Sequence, residues 1–139
     1  MAWGGTGLVN KRKLNTAQKR AISILPCAHN TDPFSFYQIL HFDNIYKYFT
    51  LLKLFYMMHS EEENIVKNHL FNSAFNHHYI TRFRSNNNII LPFFKKSKSQ
   101  QCFIYKSVTF WNELPHEFKN IVNFIAFKKK LKAHLISNC

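Results

Sequence analysis

Glycine is nearly absent from this chain. Its three glycines, Gly4, Gly5 and Gly7, all fall within the first seven of 139 residues. A loop that cradles a phosphate needs glycine, because a Cβ atom would block the close approach of the backbone to the ligand. The sequence therefore excludes nucleotide-binding folds built on a glycine-rich loop beyond residue 7.

Acidic residues are also scarce, with 7 Asp and Glu against 19 Lys and Arg, so the formal net charge is +12. This charge favours polyanionic partners, which include nucleic acid and an anionic membrane surface. The only aspartates, Asp32 and Asp43, are each interpreted as helix caps. Phosphoryl transfer by two metal ions requires paired carboxylates that hold the metals. The sequence accordingly predicts no catalytic residue, no metal site and no cofactor.

Cysteines and long apolar runs are few. Cys27, Cys102 and Cys139 are odd in number and widely separated, which fits neither a disulfide framework nor a zinc site. The longest apolar stretch, residues 49–58, is interrupted by Lys53 and is far shorter than the ~20 residues that span a bilayer. The first residues also lack the pattern of a signal peptide. We therefore expect a soluble, cytoplasmic or nuclear protein without a membrane span.

Eight histidines and a run of three glutamates raise the question of metal binding. His77 and His78 have no Cys, Asp or Glu at a ligand spacing, and His77 is better explained by packing and hydrogen bonding with Tyr79. The glutamates at 61–63 follow Ser60 at a predicted helix start, where acidic residues favour the positive end of the helix dipole. Both groups are therefore interpreted as structural. A Cys/His nucleophile pair stays open, because such partners meet only in the folded chain.

Helical patterning dominates the chain. The segments predicted to be helical are 14–25, closed by Pro26; 34–40, started by Asp32 and Pro33; 45–58, started by Asp43; 61–70; and 124–136, started by Asn123. For residues 89–105 a short β-hairpin and extended packing segments are the two alternatives. With 15 Phe and 6 Tyr to bury, the sequence predicts a small, mainly α-helical domain. This domain spans residues 1–139, either complete or as a fragment of a larger protein.

Two of these helices carry informative apolar patterns. Residues 14–25 place apolar side chains on one stripe, with Lys19 and Arg20 on the far side. The stripe consists of Leu14, Ala17, Ala21, Ile22 and Leu25. Residues 45–58 are apolar around the helix axis except at Lys47, Thr50 and Lys53. Such a helix is normally central and buried.

The most informative segment joins a tryptophan and a turn to a basic helix. It reads Phe110-Trp111-Asn112-Glu113-Leu114-Pro115 and is followed by Phe127-Lys128-Lys129-Lys130-Leu131-Lys132. Trp111 is predicted to be a buried anchor, and Asn112 and Pro115 are predicted to end its segment. Pro115 does so because it has no N–H and disfavours helical geometry at Leu114. In the basic helix, one apolar stripe faces away from Lys129, Lys130 and Lys132 and consists of Phe124, Phe127, Leu131 and Leu135.

Basic residues form four clusters, interleaved with aromatic residues. They are Lys11-Arg12-Lys13 with Lys19 and Arg20; Arg82 with Arg84; Lys95, Lys96 and Lys98; and Lys128, Lys129, Lys130 and Lys132. Basic clusters contact phosphates, and aromatic rings stack on unpaired bases. Each cluster is thus a candidate contact with an RNA or DNA backbone, and a solvated surface explains any single cluster equally well.

Five short phrases occur in an order that resembles a known family. They are Trp3-Gly4, Gln18-Lys19-Arg20-Ala21-Ile22, His77-His78-Tyr79-Ile80-Thr81-Arg82, Trp111-Asn112-Glu113-Leu114-Pro115 and Phe127-Lys128-Lys129-Lys130-Leu131-Lys132. Together they resemble the region C-terminal to the polymerase core in non-LTR retrotransposon reverse transcriptases of the jockey-like and related kinds. These proteins often carry Gly-Pro before the Leu-Trp-Asn phrase, where this chain has Ser107-Val108-Thr109-Phe110.

The resemblance implies a parent that is an RNA-directed DNA polymerase, which copies element RNA at a nicked target. This chain is then expected to be a non-catalytic C-terminal fragment that holds RNA or DNA independently of sequence, beside the polymerase core. Two other functions stay open. One is an inert structural remnant of a degenerate transposable-element copy, and the other is a basic adaptor that binds an acidic protein or a membrane surface.

Overall fold

The computed structural model describes residues 8–26, 32–60, 87–91, 93, 95–96 and 99–137. These ranges contain six α-helices, one short 3-10 helix at Ser99–Gln101, and no β-strand. The α-helices are α1 (Leu8–Ser23), α2 (Pro33–Phe36), α3 (Phe42–His59), α4 (Phe103–Glu113), α5 (His116–Lys119) and α6 (Phe124–Ser137). The predicted mainly α-helical class is confirmed.

The chain divides into two compact units. The first comprises Met1–Phe49 and Lys129–Cys139, and the second comprises Thr50–Lys128. The helices α3 and α6 each contribute residues to both units. Each helix is continuous, so the positions along it are fixed by helix geometry alone.

The hairpin that was one alternative for residues 89–105 is absent from the described part of that range. Residues 103–105 are helical instead of extended, since α4 begins at Phe103, and only its N-cap Cys102 has extended geometry. Val108 and Trp111 are the buried apolar residues of α4, and their separation of three residues is a helical spacing. A window of four residues is too short to distinguish that period from a strand.

Two predicted helix starts are confirmed. The Asp32 carboxylate accepts a hydrogen bond from the Ser35 N–H at 2.8 Å, and this bond is the main reason that the pKa of Asp32 is lowered. α2 nevertheless ends at Phe36, four residues before the predicted end. At the start of α6, the Asn123 side-chain oxygen accepts from the backbone N–H groups of residues 125 and 126 at 2.9 and 3.0 Å.

The interpretation of Asp43 as a cap is wrong. The His41 carbonyl accepts the first backbone hydrogen bonds of α3, so Asp43 already lies within the first turn. Its carboxylate accepts instead from the Asn15 side-chain amide at 2.6 Å, which joins α3 to α1. The predicted helix at 61–70 lies outside the described residues.

The face by which α1 packs is polar, contrary to the predicted apolar stripe. Leu14 and Leu25 are 40% and 42% exposed, and of the five stripe residues only Ile22 is buried. Gln18 provides the attachment, because its amide donates to the Leu40 carbonyl at 2.8 Å and accepts from the Phe42 N–H at 2.7 Å. A stripe read from one helix could not reveal a hydrogen-bonding partner that lies more than 20 residues away.

The helix α3 is buried on one side only. Leu51 and Leu54 are fully buried, and so is Thr50, whose hydroxyl has no hydrogen-bond partner. Phe49 and Tyr56 are 48% and 55% exposed. The prediction of a central, buried helix is therefore correct for one side of α3 and wrong for the other, where the rings of Phe49 and Tyr56 face water.

In the second unit, three aromatic rings form the centre of the core. Phe55 stacks on Phe127 with ring centroids 4.2 Å apart, and Trp111 lies 6.1 Å from Phe127. Phe55, Trp111 and Phe127 are each at most 1% exposed.

The apolar stripe predicted for α6 is confirmed at Phe127, Leu131 and Leu135, which are buried, whereas Phe124 is 41% exposed.

Candidate nucleic-acid interface

Side chains near the end of α4 form hydrogen bonds with the backbone of residues 87–89. Trp111 is 1% exposed, and its indole N–H donates to the Asn87 carbonyl at 3.0 Å. Asn87 has a positive φ of 52°, which asparagine tolerates better than most residues. α4 ends at Glu113, and Leu114 takes extended geometry before Pro115, as predicted. The burial of Trp111 is confirmed, and its contribution to stability is a prediction taken up in the Discussion.

Asn112 pairs with a single residue of that segment through both ends of its amide. Its side-chain nitrogen donates to the Ile89 carbonyl at 2.8 Å, and its oxygen accepts from the Ile89 N–H at 2.9 Å. Ile89 is 3% exposed, so its peptide groups have little access to water. The amide thereby satisfies backbone groups that a strand partner would otherwise satisfy.

The ammonium group of Lys119 forms hydrogen bonds within the fold and is partly buried. Its ammonium group donates to the Asn88 side-chain oxygen at 2.6 Å and to the Asn112 carbonyl at 3.1 Å, and burial lowers its pKa. The Asn87 side chain donates to Asn120 at 3.0 Å. This network was not predicted from the sequence, where the run of asparagines at 86–88 is the only local signal for it. Lys119 is therefore a structural cation.

Replacing Asn112 with alanine is expected to lower the free energy of unfolding by about 2 to 4 kcal/mol, because both peptide groups of the buried Ile89 lose their partner. Urea denaturation measures this loss. Asn10→Ala is the matched control, since Asn10 is exposed and lies outside this network, and its effect is expected to stay below about 0.5 kcal/mol. Equal losses in the two variants would show that the hydrogen bonds between Asn112 and Ile89 do not contribute to the stability of the fold.

The basic residues of α6 form the first candidate surface, here called the lysine face. It consists of Lys128, Lys129 and Lys132, all exposed, together with Ile125, which is 65% exposed. The spacing 125, 128, 129 and 132 puts these four side chains on one side of the helix. Lys130 is also exposed but lies on the other flank of the buried stripe. The structure thus brings together three of the four lysines in this cluster.

The basic residues of α1 form the second candidate surface. Arg12, Thr16 and Arg20 follow one another at intervals of four and line a concavity together with Lys13. Val9 and Ala17 also line it. Lys19 is exposed but does not line the concavity. The structure therefore groups Arg20 with Arg12 and Lys13.

The remaining predicted site residues divide into two sets. Lys95 and Lys96 are described and exposed. The predicted positions that lie outside the described residues are His77, Tyr79, Arg82, Arg84 and Lys98. Among the described residues, no group of three or more His, Cys, Asp or Glu side chains is placed to hold a metal ion. No helix in that part of the chain combines the length and apolarity needed to cross a membrane.

No protein-family model matches the chain, and neither does any curated protein or solved structure. The exposed basic surfaces and the sequence phrases are therefore the grounds for proposing a function.

Proposed function

We propose that this chain binds RNA or DNA through the phosphate backbone, independently of base sequence. The observation that carries the proposal is the lysine face of α6, in a chain of net charge +12. α6 contains no acidic residue, so its own sequence does not neutralise the three exposed ammonium groups. Lys128 and Lys132 are separated by about 6 Å along the helix, at 1.5 Å per residue. Flexible lysine side chains at this spacing suit contacts with successive phosphates, which position a protein without specifying sequence.

We infer further that the chain is a non-catalytic C-terminal piece of a non-LTR retrotransposon reverse transcriptase. Three of the five phrases that carry the resemblance fall on described residues, and each contributes to the fold. Gln18 attaches α1, Asn112 and Trp111 hold the 87–89 segment, and Phe127 is buried in the core. A resemblance concentrated in residues that maintain the fold is what common ancestry would leave.

In this proposal the polymerase core is the partner, and it supplies the carboxylates and metal ions of the reaction. The present chain holds the template nucleic acid. Its proposed location is the cytoplasm or the nucleus. It acts by raising the local concentration of nucleic acid at the linked active site. An inert remnant and a basic adaptor for acidic protein or membrane are the competing functions.

The salt dependence of binding tests the proposal. In a fluorescence anisotropy titration with labelled RNA between 50 and 200 mM salt, the logarithm of the affinity should fall linearly with the logarithm of the salt concentration. Neutralisation of about four to six phosphates gives a slope of roughly −3 to −5. A flat response, or no binding at 50 mM salt, contradicts the proposal and favours the inert remnant.

Two further probes separate the adaptor from the nucleic-acid binder. The same titration is repeated with polyglutamate and with vesicles that contain anionic lipid. Because the proposed surface recognises phosphates on a nucleic-acid backbone, RNA should bind most tightly at equal concentration of negative charge. Tighter binding to either competitor identifies the chain as an adaptor.

A further inference from the structure

We propose that the exposed face of α3 stacks on unpaired bases, so that the chain prefers single-stranded nucleic acid over duplex. This inference rests on the proposed function and adds a substrate class to it. The face, here called the aromatic stripe, is defined by Phe49, Lys53 and Tyr56, which are all exposed. The intervals of four and three residues place the three side chains on one side of the helix over about 10 Å.

Two large aromatic rings of the stripe are in contact with water, although the opposite side of the same helix is buried. Phe49 and Tyr56 are 48% and 55% exposed, whereas Leu51 and Leu54 on the other side of α3 are fully buried. Thr50 is also fully buried with its hydroxyl unpaired. The helix is thus oriented with two rings in water and a hydroxyl in the core, which is the reverse of what burial alone favours. Such an arrangement is typical of a surface that is covered by a partner.

The chemistry of the stripe identifies that partner as nucleic acid. The Lys53 ammonium group lies 5.8 Å from the centre of the Tyr56 ring, so a cation sits among the aromatic side chains. The stripe contains no acidic residue, and the chain carries a charge of +12. Flat rings beside a cation complement a strand whose bases are free to stack and whose phosphates are negative. In a duplex the base faces are already stacked and are inaccessible to such rings.

The test compares three probes of equal length with the wild-type chain and with the double variant Phe49→Ala/Tyr56→Ala. The probes are an oligouridine of about 16 nucleotides, an RNA duplex, and a strand with phosphates but no bases. The variant is expected to bind oligouridine about 10-fold or more weakly, because each lost ring removes base stacking. Its affinity for the duplex and for the abasic strand should change less than about 2-fold, because phosphate contacts are unaffected.

Two control variants accompany the test. Tyr56→Phe keeps the ring and should bind oligouridine like the wild type. Val122→Ala removes an apolar side chain that is 76% exposed but lies outside α3, and it should also bind normally. Circular dichroism and a thermal melt confirm that each variant is folded.

The outcomes separate this inference from the proposed function. Unchanged oligouridine binding in the folded double variant, or an equal loss for all three probes, overturns the stacking inference and leaves phosphate binding in place. A wild-type chain that binds none of the probes overturns both. A wild-type dimer that becomes monomeric in the double variant shows that the stripe is covered by a second copy, which also overturns the inference.

Discussion

Replacing Trp111 with alanine is expected to lower the free energy of unfolding by about 3 to 5 kcal/mol. The indole is 1% exposed, packs near Phe127, and donates a hydrogen bond to the Asn87 carbonyl. The substitution leaves a large cavity and removes the partner of a backbone group. Because small domains are stable by only about 5 to 15 kcal/mol, the variant should lose much of its fold and its nucleic-acid binding together. Urea denaturation followed by circular dichroism measures the loss.

Two controls make this result specific. Trp111→Phe keeps an aromatic ring but loses the indole N–H, so its loss should be smaller than that of the alanine variant. Phe93→Ala removes a ring that is 84% exposed, and it should cost less than about 0.5 kcal/mol. If Trp111→Ala unfolds at the same urea concentration as the wild type but no longer binds nucleic acid, Trp111 contacts the ligand and is not the structural anchor.

Replacing Lys128, Lys129 and Lys132 together with glutamine is expected to make the salt slope less negative by about 2 to 3, because up to three phosphate contacts are lost. The same relation gives a loss of affinity of about 100- to 1,000-fold at 0.1 M salt. The loss should be equal for all nucleic-acid sequences, since backbone contacts carry no sequence information. All three side chains are exposed, so the thermal melt should change little. Anisotropy titrations at several salt concentrations measure the effect.

The charge-retaining triple substitution to arginine is the matched control, and it should preserve the salt slope. Lys130→Gln is a second control, because Lys130 lies on the other flank of the buried stripe of α6. A glutamine triple variant with the wild-type slope would show that the lysine face does not contact phosphates. Nucleic-acid binding would then have to be assigned to another surface, with the concavity of α1 as the next candidate.

The features that the sequence predicted correctly are local ones. Asn123 and the apolar residues of α6 lie within one helix, and Pro115 acts on the residue next to it, so short-range rules were sufficient. The pairing of Asn112 with Ile89 joins residues 23 positions apart, and the contact of Gln18 with Leu40 joins residues 22 apart. No local pattern encodes such pairings. The face by which α1 packs was therefore predicted wrongly.

The candidate surfaces also comprise one that local sequence patterns predict and one that they do not. The lysines of α6 were visible as a run of charge, and helix geometry alone separates Lys130 from the other three. The aromatic stripe of α3 was not predicted, because residues 45–58 are apolar on nearly every side. A helix of that composition does not reveal which of its faces packs against the core. Only the folded structure shows that Thr50 is inside and that Phe49 and Tyr56 are outside.

The attachment of α1 through Gln18 has a calorimetric consequence. Helices that dock through apolar surface add to the heat capacity of unfolding, because water hydrates that surface when they separate. α1 docks largely through side-chain amides, and most of its apolar residues are hydrated already. The separation of α1 from the rest of the first unit should therefore add little to the heat capacity of unfolding, unlike the opening of the core around Trp111. We therefore expect α1 to open locally, at a lower free energy than global unfolding.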